Sequence, residues 1–589
     1  MQTNNQTRLG ARLSPFNAWA FALGTAVGWG SLVVTANSYL GQAGPMGSVL
    51  GIVLGTLIML VIGRNYSYMM QVFPDAGGAY TYSREVFGYD HGFLTGWFLT
   101  LTYLAVLWAN ATSIPLFTRY FLGGVLQIGK MYTIFGYDVY LGETVVTIAV
   151  ILATAYLCTH SHKLTVGLMT GLVCVFCGGI VAVFVAAMLG LKIPLEPRTI
   201  PDAGVLGQIV KIAVISPWAF IGFESISHRT EEFAFPHRNI FRVMVAALIA
   251  TGLLYALVTL LSVTAYPDRY GSWLEYIRDR GNLSGIEAVP AFYAAHHYLG
   301  EGGVWILMAS LIALILTSLI GNTTCLSRLF YAQSLDGILP KKISELNKQG
   351  VPANAMKLIA AVSAVIPFVG RTAIGWIVDV TTIGATLIYG FVSAAAFKTA
   401  KNRRDKVEKW TGLIGLGLMI AFGLYILLPN LVSYGSMEPE TYFLFVVWSV
   451  MGFLFFRAIL RNDREKRFGG SVVVWIALLS LVLLISLIWM RQSMIVANDQ
   501  MLGSIKAYYA EIGDATRMAD EAYIEQQANW LDTQNSRTLL MAIVMFSIAV
   551  GMMFSNHAYL SRRANESEQA ANERSPDHYP GSCPWKNPV

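Results

Sequence analysis

Apolar runs long enough to cross a bilayer recur along this chain, and no other feature limits its fold so tightly. About 30 Å of hydrocarbon is spanned by about 20 mostly apolar helical residues, and roughly fourteen runs meet that measure. They are residues 16–40, 47–68, 93–122, 141–158, 164–191, 206–227, 240–266, 304–331, 355–369, 374–397, 412–428, 442–460, 472–490 and 539–554. At that depth no water can serve the backbone, so only helices or closed barrels are viable, and runs of this length mean helices. The 13% content of charged residues agrees, being about half that of an ordinary soluble chain.

Two runs are interrupted. Gly24-Thr25-Ala26-Val27-Gly28-Trp29-Gly30-Ser31 lies in the first, and Trp218-Ala219-Phe220-Ile221-Gly222-Phe223-Glu224 in the sixth, at matching places in two successive five-helix blocks. A mid-depth break is tolerated only where its freed backbone groups meet protein or a polar cavity, and in carriers such breaks hold the substrate. Five spans per block force opposite orientations. Residues 14–191 and 192–398 are therefore expected to form an inverted repeat with the two breaks facing each other. The fold class that follows is an all-α integral membrane protein, with an inverted five-plus-five transporter core and about four additional C-terminal transmembrane helices.

The remaining boundaries follow from composition. Residues 1–13 form an N-terminal segment, 399–460 hold helices 11 and 12, and 461–558 hold a further helix pair enclosing the polar stretch 491–537. Apolar residues recur at helical spacing between Met501 and Trp530, so that stretch reads as helical, whereas Glu, Asn, Ser and Pro throughout 559–589 read as a disordered tail. With the N-terminus inside, about 28 of the 41 Lys+Arg fall on the cytoplasmic side, which puts both termini in the cytoplasm and the chain in the cell membrane. The net charge of +6 is then explained by basic inner loops, with no nucleic-acid partner required. Cys174-Val-Phe-Cys177 sits inside an apolar run without His partners and reads as packing. No metal cluster, nucleophile motif or phosphate loop is found, so neither an enzyme nor a cofactor is expected.

Further motifs lie between the runs. Phe73-Pro-Asp-Ala-Gly-Gly-Ala-Tyr80 forms an inner corner, and Arg328 is followed by Asp336-Gly337-Ile-Leu-Pro340. With the two glycine-broken segments, these residues resemble the amino acid, polyamine and organocation transporter superfamily, and specifically its bacterial amino-acid permeases. The resemblance covers about residues 14–460 and leaves helices 13 and 14 outside the pattern. It implies secondary active transport of amino acids or related amines by alternating access. A transporter-like nutrient receptor, or an exchanger without ion coupling, stands as the alternative.

An amino acid brings a carboxylate and an ammonium group, and broken helices can replace the water that both lose. The carboxylate is assigned to the backbone of Gly28, Trp29 and Gly30, and the ammonium to carbonyls near Ala26 and from Phe220 through Ile221 to Gly222. Close helix packing is the competing explanation for these glycines. Trp218 and Phe220 offer flat faces for closing over a substrate. Trp29 departs from the small residue usual in the related permeases, and so shrinks the cavity or serves as a gate.

Glu224 is an ionisable group inside a span, expensive unless it faces a cavity or a partner. The resemblance gives it a gating and proton-linked role. The resemblance also places Asn110 and Asn322 at the substrate side chain, with interhelical hydrogen bonding the equal alternative, and gives Tyr389 a weaker claim. His228 reads as part of the inner corner. Coupling is open between proton and sodium. For sodium the hydroxyls of Thr323 and Thr324, or of Thr317 and Ser318, supply oxygen ligands. An oligomer is compatible with all of this.

Overall fold

The computed structural model describes residues 13–30, 39–134, 137–191, 196–201, 204–370, 373–427, 439–463, 465–512 and 521–572. Ser14 starts the first helix, α1 (Pro15–Ala26). Its hydroxyl accepts from the Asn17 N–H at 3.2 Å, and Pro15, with no N–H to satisfy, takes the first helical position. There follow α2 (Leu40–Val72), α3 (Ala79–Phe87), α4 (Tyr89–Leu122), the antiparallel hairpin β1 (Lys130–Ile134) and β2 (Tyr137–Tyr140), α5 (Leu141–His160) and α6 (His162–Gly190). The second block holds α7 (Val205–Ala219), a 3-10 stretch Phe223–Glu232, α8 (Ile240–Leu261), α9 (Trp273–Asp279), α10 (Pro290–Leu335), α11 (Ala353–Ser363) and α12 (Ala373–Arg403). Last come α13 (Lys406–Leu427), α14 (Pro439–Asn462), α15 (Val473–Ile512) and α16 (Glu521–Asn572).

Among the described residues eleven helices are long and apolar enough to cross a membrane. α1 and α7 fall short because each is half of a broken span. The protein is an all-α, multi-pass structure built on two five-span blocks, each opening on a broken helix. In α4 and α12, 78% of the apolar stretch is buried inside the protein, against 22% in α13 and α16. The former are central, and the latter turn Leu, Ile and Val outward, as at Ile420, Leu424, Leu540 and Ile543. Small residues let the central helices meet. A Cβ on Gly24 would lie 2.8 Å from Val173 of α6 and 3.1 Å from Thr317 of α10, and one on Gly384 of α12 would lie 2.2 Å from the Thr102 hydroxyl of α4.

Some elements differ from the sequence reading. The hairpin β1–β2 was not expected; the Tyr132 hydroxyl fixes it by donating to Phe368 O at 2.5 Å. α10 begins at Pro290, well before residue 304, because an amphipathic helix joins the apolar one across a kink at Gly300. α16 runs on to Asn572, so composition placed the end of order too early at residue 559; the Ala- and Glu-rich sequence there is helix-forming. Residues 573–589 lie outside the described residues, as do 513–520 within the polar stretch.

The chain divides into two units, one of Met1–Thr441 with Ala458–Ser471, the other of Tyr442–Arg457 with Val472–Val589. Within the first, the Gly469 and Ser471 N–H groups donate to the Asp90 carboxylate at the start of α4, at 2.7 and 2.6 Å. Within the second, Trp475 meets Phe453 and Phe456 edge-on at 4.9 and 5.3 Å, and Tyr508 stacks on Tyr523 at 4.1 Å.

Candidate functional site: two helix breaks around a buried cavity

The ladder of α1 stops at Ala26. Val27 is extended (φ −91°, ψ 108°) while its N–H still reaches Leu23 O at 2.9 Å. Asn110 of α4 holds the unwound turn, its Oδ1 accepting from the Trp29 N–H at 3.3 Å. Its Nδ2 donates to Val106 O at 2.8 Å and to the Ser318 hydroxyl of α10 at 3.0 Å, and Ser318 in turn donates to Thr25 O at 3.4 Å. The freed backbone of the first break is thus met from α4 and from α10.

The sixth span breaks at a different kind of turn. After Ala219 the bonds shorten to i+3, from Ile221 N–H to Trp218 O and from Phe223 N–H to Phe220 O, both at 3.2 Å. Gly222 then takes φ +110°, a conformation that L side chains avoid. Space also excludes any other residue: a Cβ there would lie 2.7 Å from the Thr25 carbonyl carbon and 2.8 Å from the Ala26 nitrogen. The two breaks therefore touch, backbone to backbone.

Beside this contact lies a cavity of about 40 Å³, room for about three waters. Ala26, Gly28, Trp29, Gly30, Asn110, Trp218 and Ile221 line it together. So do Val106, Ala109, Tyr255, Ser318 and Thr381, which the sequence did not single out as substrate contacts because single hydroxyls and small apolar residues in a span carry no local signal. Three nominated residues sit elsewhere. Phe220 packs edge-on against Tyr255 at 6.2 Å, Gly222 is consumed by the contact with α1, and the Asn322 amide donates within α10, to Ser318 O at 2.8 Å. Thr323 and Thr324 do not line the cavity; the Thr324 hydroxyl donates to Ile320 O and faces Cys158. The hydroxyl that reaches the first break is Ser318.

Glu224 lies two residues past Gly222 and is 2% exposed. Its Oε2 accepts from the Gly222 N–H at 3.0 Å and the Tyr389 hydroxyl at 3.1 Å, and its Oε1 lies 3.2 Å from the Tyr103 hydroxyl. Tyr66 packs edge-on to Phe223 and Tyr389, closing the surroundings with aromatic rings. The carboxyl is thereby partnered from its own break, from α4 and from α12.

The far end of the 3-10 stretch, beyond the sixth apolar run, closes on a buried ion cluster. The Glu232 carboxylate pairs with Arg229 at 2.6 Å, with His162 of α6 at 3.1 Å and with Arg328 of α10. Burial alone would raise this carboxyl, but the Arg229 and Arg328 guanidiniums hold it down to about 2. Leu13 joins here as an isolated bridge: its N–H donates to Glu232 O at 2.7 Å, and Ala234 N–H donates to Leu13 O at 2.9 Å. Nearby, the Tyr80 hydroxyl and Arg84 converge on Asp336, each at 2.5 Å. The corner motif and the Asp336-Gly337 motif thus touch, as the two breaks do.

The amino acid permease family matches residues 13–437. The branched-chain amino acid permease BcaP of Lactococcus lactis subsp. cremoris is 25% identical over 447 residues, covering 72% of this chain and 88% of that protein. The protein of the same name from Bacillus subtilis is 22% identical, covering 77% and 94%. The methylthioribose transporter of Bacillus subtilis is 23% identical, covering 76% and 92%. Among solved structures, a substrate-bound, outward-open Na+-coupled sialic acid symporter aligns over 70% of this chain and 89% of that one, at 13% identity and a TM-score of 0.44. The match takes in both breaks, the cavity and the ion cluster, and relatives over nearly their whole length are named as permeases or transporters rather than enzymes; the chain belongs to the amino acid permease family and is a multi-pass secondary transporter.

Proposed function

We propose that the protein carries a neutral amino acid with an apolar side chain across the cell membrane by alternating access around the two breaks. The observation that carries this reading is the backbone contact of Gly222 with Thr25 and Ala26 beside a cavity whose described lining holds no Asp, Glu, Lys or Arg. Unwound N–H and C=O groups serve the carboxylate and ammonium common to all amino acids, and the absence of a charged wall favours a neutral side chain. In this reading Asn110 Oδ1 holds the Trp29 N–H until a substrate carboxylate displaces it. Val106, Ala109, Ile221 and Tyr255 then receive the side chain.

Room for about three waters is far short of a whole amino acid, so loading requires movement. Trp29, packed edge-on to Phe117 at 6.4 Å, is the bulkiest wall element on the unwound turn and is the gate in this reading. The ion cluster and Leu13 lie at the cytoplasmic end by the Lys and Arg bias, and must separate for release inward. Purified protein in liposomes should exchange labelled leucine against unlabelled leucine, isoleucine or valine, and ignore lysine and glutamate. No exchange of any neutral amino acid would sink the proposal, and competition by lysine would reverse the substrate class.

A further inference from the structure

We infer that Glu224 and His228 share a single transported proton, passed through the Tyr103 hydroxyl, so that His228 is the cytoplasm-side proton carrier of this transporter. The inference rests on the transport reading above and adds the coupling ion and its route. Tyr103 Oη stands 3.2 Å from Glu224 Oε1 and 3.2 Å from His228 Nε2. The remaining atoms of both partners are already committed. His228 Nδ1 lies 2.9 Å from Ala76 O, and since a carbonyl only accepts, Nδ1 carries a hydrogen and Nε2 is the nitrogen that titrates. Glu224 Oε2 receives Gly222 N–H and the Tyr389 hydroxyl, so Oε1 is the oxygen that titrates. Both titrating atoms face one hydroxyl.

Hydrogen counting then fixes the number of protons. Tyr103 has one hydrogen to give. With His228 and Glu224 both deprotonated, the Tyr103 hydrogen can serve only one of two acceptors; with both protonated, two donors converge on one phenol oxygen whose own hydrogen has no acceptor left. Tyr103, Glu224 and His228 are all at most 2% exposed, so water does not repair either deficit. One proton satisfies every group. It sits on Nε2, with Tyr103 donating to the carboxylate, or on Oε1, with Tyr103 donating to the imidazole. Conversion is balanced: Nε2–H passes to Tyr103 Oη as Oη–H passes to Oε1, imidazolium and carboxylate become imidazole and acid, and the phenol is unchanged.

The neighbours leave these two groups as the pair that exchanges. Tyr66, Tyr389 and Cys325 face Glu224 and Tyr103. Asp75 and Arg328 face His228. Asp75 is bonded to Gly77 N–H and the Thr81 hydroxyl, and Arg328 is paired with Glu232. The two ends of the relay lie on one 3-10 stretch but touch different neighbours, with Tyr103 of α4 between them. The His228 ring is pressed on the corner backbone, where a Cβ on Gly78 (φ +55°) would lie 3.0 Å from Cε1. Glu224 instead holds the N–H of Gly222, the residue that touches the first break. An ionised Glu224 grips that N–H with a charge-assisted bond and a protonated one grips it less, so the position of the proton is felt at the substrate site.

The test uses the full chain in liposomes with leucine as probe and a pH dye inside, comparing accumulation driven by an imposed proton gradient with counterflow at equal pH. In His228→Gln and in Tyr103→Phe the ratio of driven accumulation to counterflow should fall at least about ten-fold, because neither variant can relay a proton. A purely structural role for these residues would lower both rates together and leave the ratio in place, and that result overturns the inference. So does a parent protein whose accumulation follows sodium and ignores the pH gradient while counterflow is intact. Absence of counterflow with every amino acid instead defeats the transport reading, and the relay with it. A second readout needs no flux: the infrared carbonyl band of a protonated carboxyl, assigned by its loss in Glu224→Gln, should shift in Tyr103→Phe, and an unmoved band refutes the relay.

Discussion

Replacing Gly222 by Ala puts the contact between the two breaks to its hardest test. The native φ of +110° is one that a Cβ makes costly, by about 1–3 kcal/mol. The added methyl would also stand 2.7 to 2.8 Å from three backbone atoms of Thr25 and Ala26, which cannot rotate away as a side chain would. Overpacking of this kind costs about 1–3 kcal/mol, so the two effects together amount to about 2–6 kcal/mol. Gly171→Ala supplies the control, since that helical glycine has negative φ and nothing within 4 Å of its would-be Cβ. It should be neutral or stabilising by up to about 1 kcal/mol. Unfolding in detergent, followed by intrinsic fluorescence, compares the two variants with the parent, and leucine exchange in liposomes reports whether the cavity survives. If Gly222→Ala unfolds with the parent and exchanges at the parental rate, the breaks do not touch and the site as built here is wrong.

Two further outcomes follow from the same geometry. A Cβ on Gly28 would fall 2.7 Å from Asn110 Oδ1, an amide already tied to Val106 O and Ser318, so Gly28→Ala should abolish most leucine exchange while costing only about 1–2 kcal/mol of stability. Unimpaired exchange by a folded Gly28→Ala protein would remove the first break from the site. Glu232→Gln leaves Arg229 and Arg328 buried without a counter-charge and should destabilise by about 3–5 kcal/mol at neutral pH. Because the folded Glu232 carboxyl is held at about 2, below its ordinary value of 4.5, its stabilisation is complete above about pH 4.5 and is lost as the pH falls toward 2. The parent should therefore lose stability more steeply than Glu232→Gln across that interval, and parallel slopes in thermal melts would contradict the assignment.

How much of this could be read from the chain depended on whether the signal was local. Gly24 to Gly30 and Trp218 to Glu224 announce their breaks because glycine in an apolar run is an evident departure from helix propensity. Seven of the residues nominated around them line one cavity. The remaining wall came from Val106, Ala109, Tyr255, Ser318 and Thr381, and one partner of Glu224 from Tyr103, all of which sit in ordinary helical sequence. A hydroxyl in a span most often bonds the carbonyl one turn back, as Thr112 and Thr251 do here, so only tertiary placement separates the functional ones. The same limit applied to the motifs. Tyr80 and Asp336 are 256 residues apart, and their contact is invisible to periodicity. His228 was read as a corner residue, and its Nδ1 does bind the corner carbonyl of Ala76; what the sequence lacked was the direction of the other nitrogen.

α1 is bound to the sixth span at both ends: Thr25 and Ala26 meet Gly222, Leu13 bonds to Glu232 and Ala234, and between them the Arg229 guanidinium lies 4.6 Å over the Phe21 ring. The 3-10 stretch carries both contacts although it is interrupted at Arg229, whose backbone (φ −123°, ψ 16°) leaves the helical region. A segment clamped at two ends cannot slide against its neighbour, so in the proposed reading α1 and the 3-10 stretch move as a pair against α4 and α10. Asn110 and Ser318 belong to α4 and α10, whereas Gly222, Glu224 and Glu232 belong to the proposed moving pair. In the proposed alternating-access reading, a motion that opens the ion cluster at Glu232 also shifts the break at Gly222 relative to Asn110, and so links gate to binding site.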